Sequence, residues 1–436
     1  MTGLRLAFLS PLPPAPTGIA DYSADVLAVL ADGYDIDVFH DQEAVDRARL
    51  PQRAEPHHVS AFPQKHRDRP YDVVVYQMGN GRAHGFLYDH LSRVPGLLVL
   101  HDLVLHHSRA ARFLDADPVR TWRLRPGDSG AREGARPWLE RWREELVYTY
   151  PAAGDRLFDV HVGTVGDLLP YAYPLVRIPV EASRLIVVHN SFMAEAVRGE
   201  VPEAAVSVVP QPADAQVVDA GSVRALRRRL GVADTDVLVG TFGLLTAEKQ
   251  VETVARAVAR AAAWDSRIRL LLVGPVVDPK RLERLLERLG VAGRAIVTGR
   301  VPLTDLAVYA GAADVVAHLR YPTGRETSAA LLRLMAQGRP CVVSDLEHQG
   351  DIPEGAVVRA DPTDEEGALT RAIFRLANDP AEGRELGLRA AAHVRDHHSA
   401  RLVRSAWDRA LEQARVRPAP PSRDWPSHWP RPEVPA

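Results

Sequence analysis

At 436 residues the chain exceeds what one ordinary hydrophobic core supports, so two domains are the first expectation. Apolar residues make up 46% and charged residues 25%, a balance that excludes disordered and fibrous classes. A formal net charge of -2 removes the electrostatic case for nucleic acid as a partner, which needs a clear basic excess.

The single cysteine, Cys341, falls in an apolar strand-like run, so no intramolecular disulfide is available and a reducing cytoplasm fits. Residues 4–9 are apolar but too few for the h-region of a secretory leader, and they read as a first strand. No run approaches the ~18–20 apolar residues of a membrane span. A cytoplasmic location is expected, with peripheral contact at the inner membrane face left open.

Further strand-like runs follow at residues 36–40, 73–77, 97–101, 185–189 and 206–209, with helical patterns between many of them, as at 20–30 and 86–91. Residues 108–165 hold two Trp-containing amphipathic patches among Gly- and Arg-rich loops, expected as helices decorating the first domain. Pro, Asp, Ala and Gly cluster at 210–221 and mark a boundary. Beyond it, strands at 237–242, 269–273, 295–298, 314–319, 341–343 and 357–359 alternate with helices. In one of these, Leu282, Leu285, Leu286 and Leu289 fall on a single helical face.

Continuous apolar strands alternating with amphipathic helices indicate parallel sheets covered on both sides. The expectation is an α/β protein of two Rossmann-like, doubly wound domains facing a cleft, spanning residues 1–212 and 213–398. A helix at 399–415 follows, then a Pro-rich tail at 416–436 expected to be disordered. Ligands in such folds bind at the carboxyl ends of the strands.

The chemistry-bearing residues are expected at those ends. The loop Ser10-Pro-Leu-Pro-Pro-Ala-Pro-Thr-Gly-Ile-Ala-Asp-Tyr offers Gly18 for close approach and Asp21 or Tyr22 for substrate contact, or else is a prolyl connector capped by Thr17. Gly79-Asn-Gly-Arg-Ala-His-Gly has one residue too many for a dinucleotide fingerprint, which disfavours a dehydrogenase. Its Asn80 and His84 face the cleft or belong to a turn. His101 and Asp102 end a purely apolar run and need polar partners. His106 and His107 follow without a Cys or Glu to complete a zinc spacing, so substrate contact is favoured over metal. Asp35-Ile-Asp37 is explained by strand alternation.

In the second half, Gly240-Thr-Phe-Gly-Leu-Leu-Thr-Ala-Glu-Lys-Gln places Gly243 and Lys249 after a strand. It is not a Walker motif, but an ammonium there suits a diphosphate. The segment 320–345 is a charged loop running into the helix caps Thr327 and Ser328, with the helix ending at Gly338 and Pro340 leading into the apolar strand 341–343. Free N–H groups at Thr327-Ser328 suit a phosphate, and Glu326 suits sugar hydroxyls. Together these suggest a nucleotide-sugar site.

With Gly18, His101-Asp102, Lys249 and Glu326 in this order, the chain resembles glycosyltransferase family 4, whose members adopt the GT-B fold. The resemblance covers most of residues 4–410 and is strongest over 237–345. It implies retaining, metal-independent sugar transfer from a nucleotide-diphosphate donor held mainly by the C-terminal domain, with no cofactor beyond that donor. A glycan, lipid-linked or small-molecule acceptor would lie against the N-terminal domain, and residues 400–414 would cross back to it.

On this resemblance Lys249 stabilises the departing diphosphate, and Thr298-Gly299-Arg300-Val301 meets the base. Gly18 lies near the phosphates, and His101, with Glu326, serves the transferred sugar. The family often carries two glutamates around the 320s loop. Here the first position is Arg325, with Glu326 one step later, and the second is Arg333. The arginine that accompanies the phosphate lysine is Leu244. A subset with a Gly-x-Glu-Thr-Ser-like loop lacks the second glutamate, and this chain is similar to it, with Arg320 or Arg325 supplying the positive charge. A GT-B protein that binds without turnover, and a sugar-nucleotide epimerase, remain the alternatives.

Overall fold

Thirteen short parallel strands organise the chain in the computed structural model, which describes residues 3–163 and 168–432. They fall into two compact units. The first comprises Met1–Pro210, Gly324–Thr327 and Val403–Ala436, and the second Gln211–Thr323 and Ser328–Leu402.

In the first unit the strands are β1 (Arg5–Leu9), β2 (Asp35–His40), β3 (Glu55–His58), β4 (Val73–Met78), β5 (Leu97–Leu100), β6 (Leu185–Val188) and β7 (Val206–Val208). They lie in the order β3-β2-β1-β4-β5-β6-β7. The pleat of β1 sends Ala7 and Leu9 into one core and Leu6 and Phe8 into another, which is why the strand is apolar throughout after Arg5. The helix Ala400–Val416 closes the second of these cores through Val403, Ala406, Trp407, Ala410 and Leu411.

Strand β3 has no apolar run and was not expected. It is an edge strand, where Pro56 costs no ladder bond. Beside it Asp37, Glu55 and His57 bring ligand atoms within 4.8 Å of one another. Asp37, however, already holds Arg5 at 2.8 Å, Lys65 at 3.4 Å and the Tyr71 hydroxyl at 2.5 Å, so the cluster is an ion-pair network.

The middle region folds as helices His106–Leu114, Asp117–Leu124, Ser129–Thr149 and Gly154–Gly163, built around Phe113, Trp142, Leu146 and Leu157. The expectation of a disordered tail at 416–436 is corrected over its described part. Trp425 and Trp429 are only 3% and 2% exposed and join the core of β4 and β5. Their indole N–H groups donate to buried carboxylates, Trp425 to Glu181 at 2.9 Å and Trp429 to Glu145 at 3.0 Å. Proline frequency hid two anchoring indoles. Residues 433–436 lie outside the described part.

In the second unit the strands are β8 (Val237–Phe242), β9 (Ile268–Val273), β10 (Ala295–Val297), β11 (Val315–His318), β12 (Cys341–Ser344) and β13 (Val358–Ala360). Their order is β10-β9-β8-β11-β12-β13. In both sheets the order reverses once, between β1 and β4 and between β8 and β11. Those two switch points are where a doubly wound sheet opens a crevice. No helix among the described residues is long and apolar enough to cross a membrane.

Candidate functional site

At the first switch point the loop after β1 feeds the helix Gly18–Leu30, with Thr17 Oγ1 accepting from Ala20 N at 3.0 Å. A Cβ on Gly18 would find no protein atom within 4 Å, so the surface above it is open. Gly79, leaving β4, is different: a Cβ there would stand 2.2 Å from Ile19 Cδ1, so the Ile19 side chain would have to move aside.

His101 follows β5 and is buried. Its Nε2 donates to Gln77 Oε1 at 2.7 Å, and the rings of Tyr22 and His189 pack on it at 4.6 and 5.0 Å. Burial, then neighbouring His189 and His84, hold its imidazole well below the usual range. It is therefore a neutral hydrogen-bonding group near pH 7 rather than a proton source.

Asp102 accepts the Asn80 N–H at 2.9 Å, and Leu103 N donates to Gly324 O at 2.7 Å. A Cβ built on Gly324 would lie 3.1 Å from Asp102 Oδ1 and 3.4 Å from Glu326 Oε2, so these two carboxylates flank the glycine. Asn190 holds the rest of this segment. It caps the helix Ser191–Glu200 by accepting from Met193 N at 2.8 Å. Its Nδ2 donates to Arg325 O at 3.1 Å and Thr327 Oγ1 at 3.0 Å. Arg325 has φ +60°, a conformation that costs a non-glycine residue energy, and its guanidinium lies 5.9 Å over the Phe192 ring. We expect Asn190→Ala to cost about 1–2 kcal/mol in urea denaturation, from the lost cap and the loosened segment.

At the second switch point β8 leaves through Gly243, whose φ of +103° favours glycine. A Cβ there would stand 3.3 Å from Lys249 Nζ. Lys249 sits in the 3-10 turn Ala247–Lys249, is 7% exposed, and donates to Phe242 O at 3.3 Å. Lysine is seldom this buried.

Next to it β11 ends at His318, 2% exposed, whose Nε2 has no hydrogen-bond partner among the described residues. Burial, then the charges of Lys249 and Arg320, hold this imidazole well below its usual range. Arg320 N donates to Ser344 Oγ at 2.9 Å, and the Ser344 hydroxyl donates to Glu365, whose carboxyl burial pushes up. Gln250 Nε2 donates to Tyr321 O at 2.8 Å and Tyr321 N to Glu248 O at 2.9 Å, tying the two loops together.

Gly299, with φ +69°, bridges to Gly274 beyond β10 and β9, and Arg300 beside it is exposed. Val301 packs partly against the core that includes Phe242 and Tyr309. Ser328, accepting from Leu331 N at 3.3 Å, caps the helix Ala329–Ala336.

Several expected substrate contacts have protein partners in the structure. Tyr22 is buried in the core with Trp407 and Leu27. His84 is buried with Nδ1 donating to Gln77 O at 2.9 Å, and burial lowers its pKa to about 4. Asn80 Oδ1 accepts from His107 N at 3.0 Å, so its amide serves the start of the next helix. Asp21 pairs with Arg49 at 3.1 Å. Arg325 belongs to the first unit, whereas Arg320 shares the second with Lys249. The sequence reading passed over Gln77, His189, Asn190, His318 and Ser344. A polar pair after an apolar strand, the signal used for His101-Asp102, recurs at His189-Asn190.

Residues 236–379 match the family described as Glycosyl transferases group 1. Over 231 residues the chain is 29% identical to the D-inositol 3-phosphate glycosyltransferase of Stackebrandtia nassauensis, covering 49% of this chain and 51% of that protein. The chain thus spans about half the length of the curated relative it matches. In structure it is similar to Anabaena Alr3699/HepE, solved with UDP-glucose, at TM-score 0.66 and 16% identity over 94% of this chain and 99% of that one. It is equally similar to sucrose-phosphate synthase from Thermosynechococcus elongatus, at TM-score 0.66 and 18% identity over 94% and 98%. The fold is GT-B, a two-domain α/β architecture.

Proposed function

We propose that the chain is a glycosyltransferase that moves a sugar from a nucleoside-diphosphate donor to a glycan, lipid-linked or small-molecule hydroxyl with retention at the anomeric carbon. The observation that carries this reading is the buried Lys249 beneath Gly243, at a switch point inside the segment matching glycosyl transferases group 1. The bond between the anomeric carbon and the diphosphate oxygen breaks, a bond to the acceptor oxygen forms on the same face, and the acceptor proton leaves with the diphosphate.

Negative charge grows on the diphosphate, and Lys249 with Arg320 offsets it. Asp102 and Glu326 accept from sugar hydroxyls, and neutral His101 orients the sugar. The backbone of Gly299, Arg300 and Val301 meets the base, and Gly18 leaves room for the phosphates. No metal or other cofactor is needed in this scheme, and the cytoplasm supplies the donor. The curated relative's name makes a phosphorylated cyclitol one acceptor to try.

A thermal-shift panel of UDP-, GDP-, ADP- and TDP-sugars is the first test, because a ligand of the native state raises the melting temperature. Diphosphate release with acceptors then tests transfer. No shift and no release with any donor would refute the proposal. Leu244, 50% exposed where the family places an arginine, favours a second reading of binding without turnover. Tight donor binding with no diphosphate release would select it.

A further inference from the structure

The strand register of the second sheet puts an unused imidazole beside the lysine. β11 pairs with β8 through Val316 and Gly240, so two residues further on His318 stands level with Phe242, whose carbonyl holds Lys249 Nζ. Thr241 Oγ1 donates to Ala317 O at 3.0 Å, which keeps the two strand ends together. His318 therefore ends one strand of the switch point while Gly243 and Lys249 end the other.

The groups around His318 are one-sided. Lys249 approaches from β8, and Arg320 from the continuation of its own strand. On the β12 side the carboxyl of Glu365 is engaged by Ser344. The helix Ala329–Ala336 carries one charged residue, Arg333, also a cation. A buried polar nitrogen with no partner is costly, and one kept next to two cations suits an anion that arrives later.

Resting on the diphosphate site proposed above, we infer that His318 is a third cationic contact of that site: it takes one proton from solvent when a nucleoside diphosphate binds beside Lys249 and returns it when the diphosphate leaves. The free site keeps the imidazole neutral, because burial and the charges of Lys249 and Arg320 all oppose a proton there. The bound diphosphate reverses that balance, and the protonated ring donates to a phosphate oxygen. Tight holding of the leaving group is thereby linked to pH.

The test uses the full chain with UDP as probe, titrated calorimetrically in two buffers of different ionisation enthalpy. Wild type is expected to take up close to one proton more than His318→Gln on binding UDP. Its affinity should gain up to about tenfold per pH unit, relative to the variant, as pH falls from about 8 to 6. Comparison with the variant removes the titration of UDP itself. In wild type alone, 15N resonances of the His318 ring should move from neutral to imidazolium positions on adding UDP, which decides the matter if the variant fails to fold. UDP binding with an unchanged ring and equal proton counts overturns this inference and leaves the diphosphate site standing. Failure of UDP and every other nucleoside diphosphate to bind overturns both.

Discussion

Lys249→Ala should lose the thermal stabilisation conferred by the donor nucleotide, and any transfer should fall by at least about 100-fold, the scale for removing one preorganised charge or donor from a site of developing negative charge. The size follows from position. An ammonium 7% exposed at a strand end acts in a medium much less polarisable than water, where its attraction for a diphosphate is stronger than at a surface. The protein itself should stay folded, and the 3.3 Å bond to the Phe242 carbonyl is among the contacts that the deletion removes. Melting curves with and without nucleotide, together with a diphosphate-release assay, check both halves. Retained release at the wild-type rate would rule out the assigned role.

Arg109→Met is expected to destabilise the fold by about 3–5 kcal/mol, the range for leaving one member of a buried ion pair alone. Arg109 holds Glu145 with two bonds of 2.6 and 2.5 Å, sandwiched at 4.4 Å by both Tyr88 and Trp429. Burial alone would raise the Glu145 carboxyl, but the Arg109 guanidinium, with help from His428, brings it down to about 2.

A depressed folded-state pKa means the stability it supplies is complete above the unfolded value and is lost as pH falls towards about 2. In the variant, burial acts unopposed by the arginine and raises the carboxyl, so the gap to wild type should narrow from pH 7 to about pH 4. Urea denaturation at the two pH values measures this. The double variant Arg109→Met/Glu145→Leu should recover much of the loss. An equal gap at both pH values would contradict the account.

What the sequence disclosed depended on whether a signal was local. Central strands such as β5 and β6 were legible because each is buried on two faces, which leaves an unbroken apolar run. β3 was not, since an edge strand of Glu-Pro-His-His obeys no such rule. Gly243, Lys249 and His101 were found at strand ends, where the fold predicts them. His318 ends a strand too, but its meaning comes from Lys249 on the neighbouring strand. The protein partners of Tyr22, His84 and Asn80 were hidden for the same reason. Their polar atoms are spent on Gln77, on a helix start or in the core, and spacing does not reveal those partners. Arg109 and Glu145 lay in the region of weakest pattern, and their partner Trp429 in a tail that composition alone marks as unstructured.

The route of the chain also sets an order of completion. It passes from one unit to the other after Pro210, Thr323, Thr327 and Leu402. The second unit has every residue it needs once Leu402 has left the ribosome. The first unit is begun earlier, yet it lacks Trp407 and Leu411 from one of its cores and Trp425 and Trp429 from another until those later residues have been made. A nascent chain stopped at Pro210 therefore carries seven strands' worth of apolar surface with part of its cover still unmade. The usual N-terminal-first sequence of domain maturation is inverted by the connectivity of this molecule.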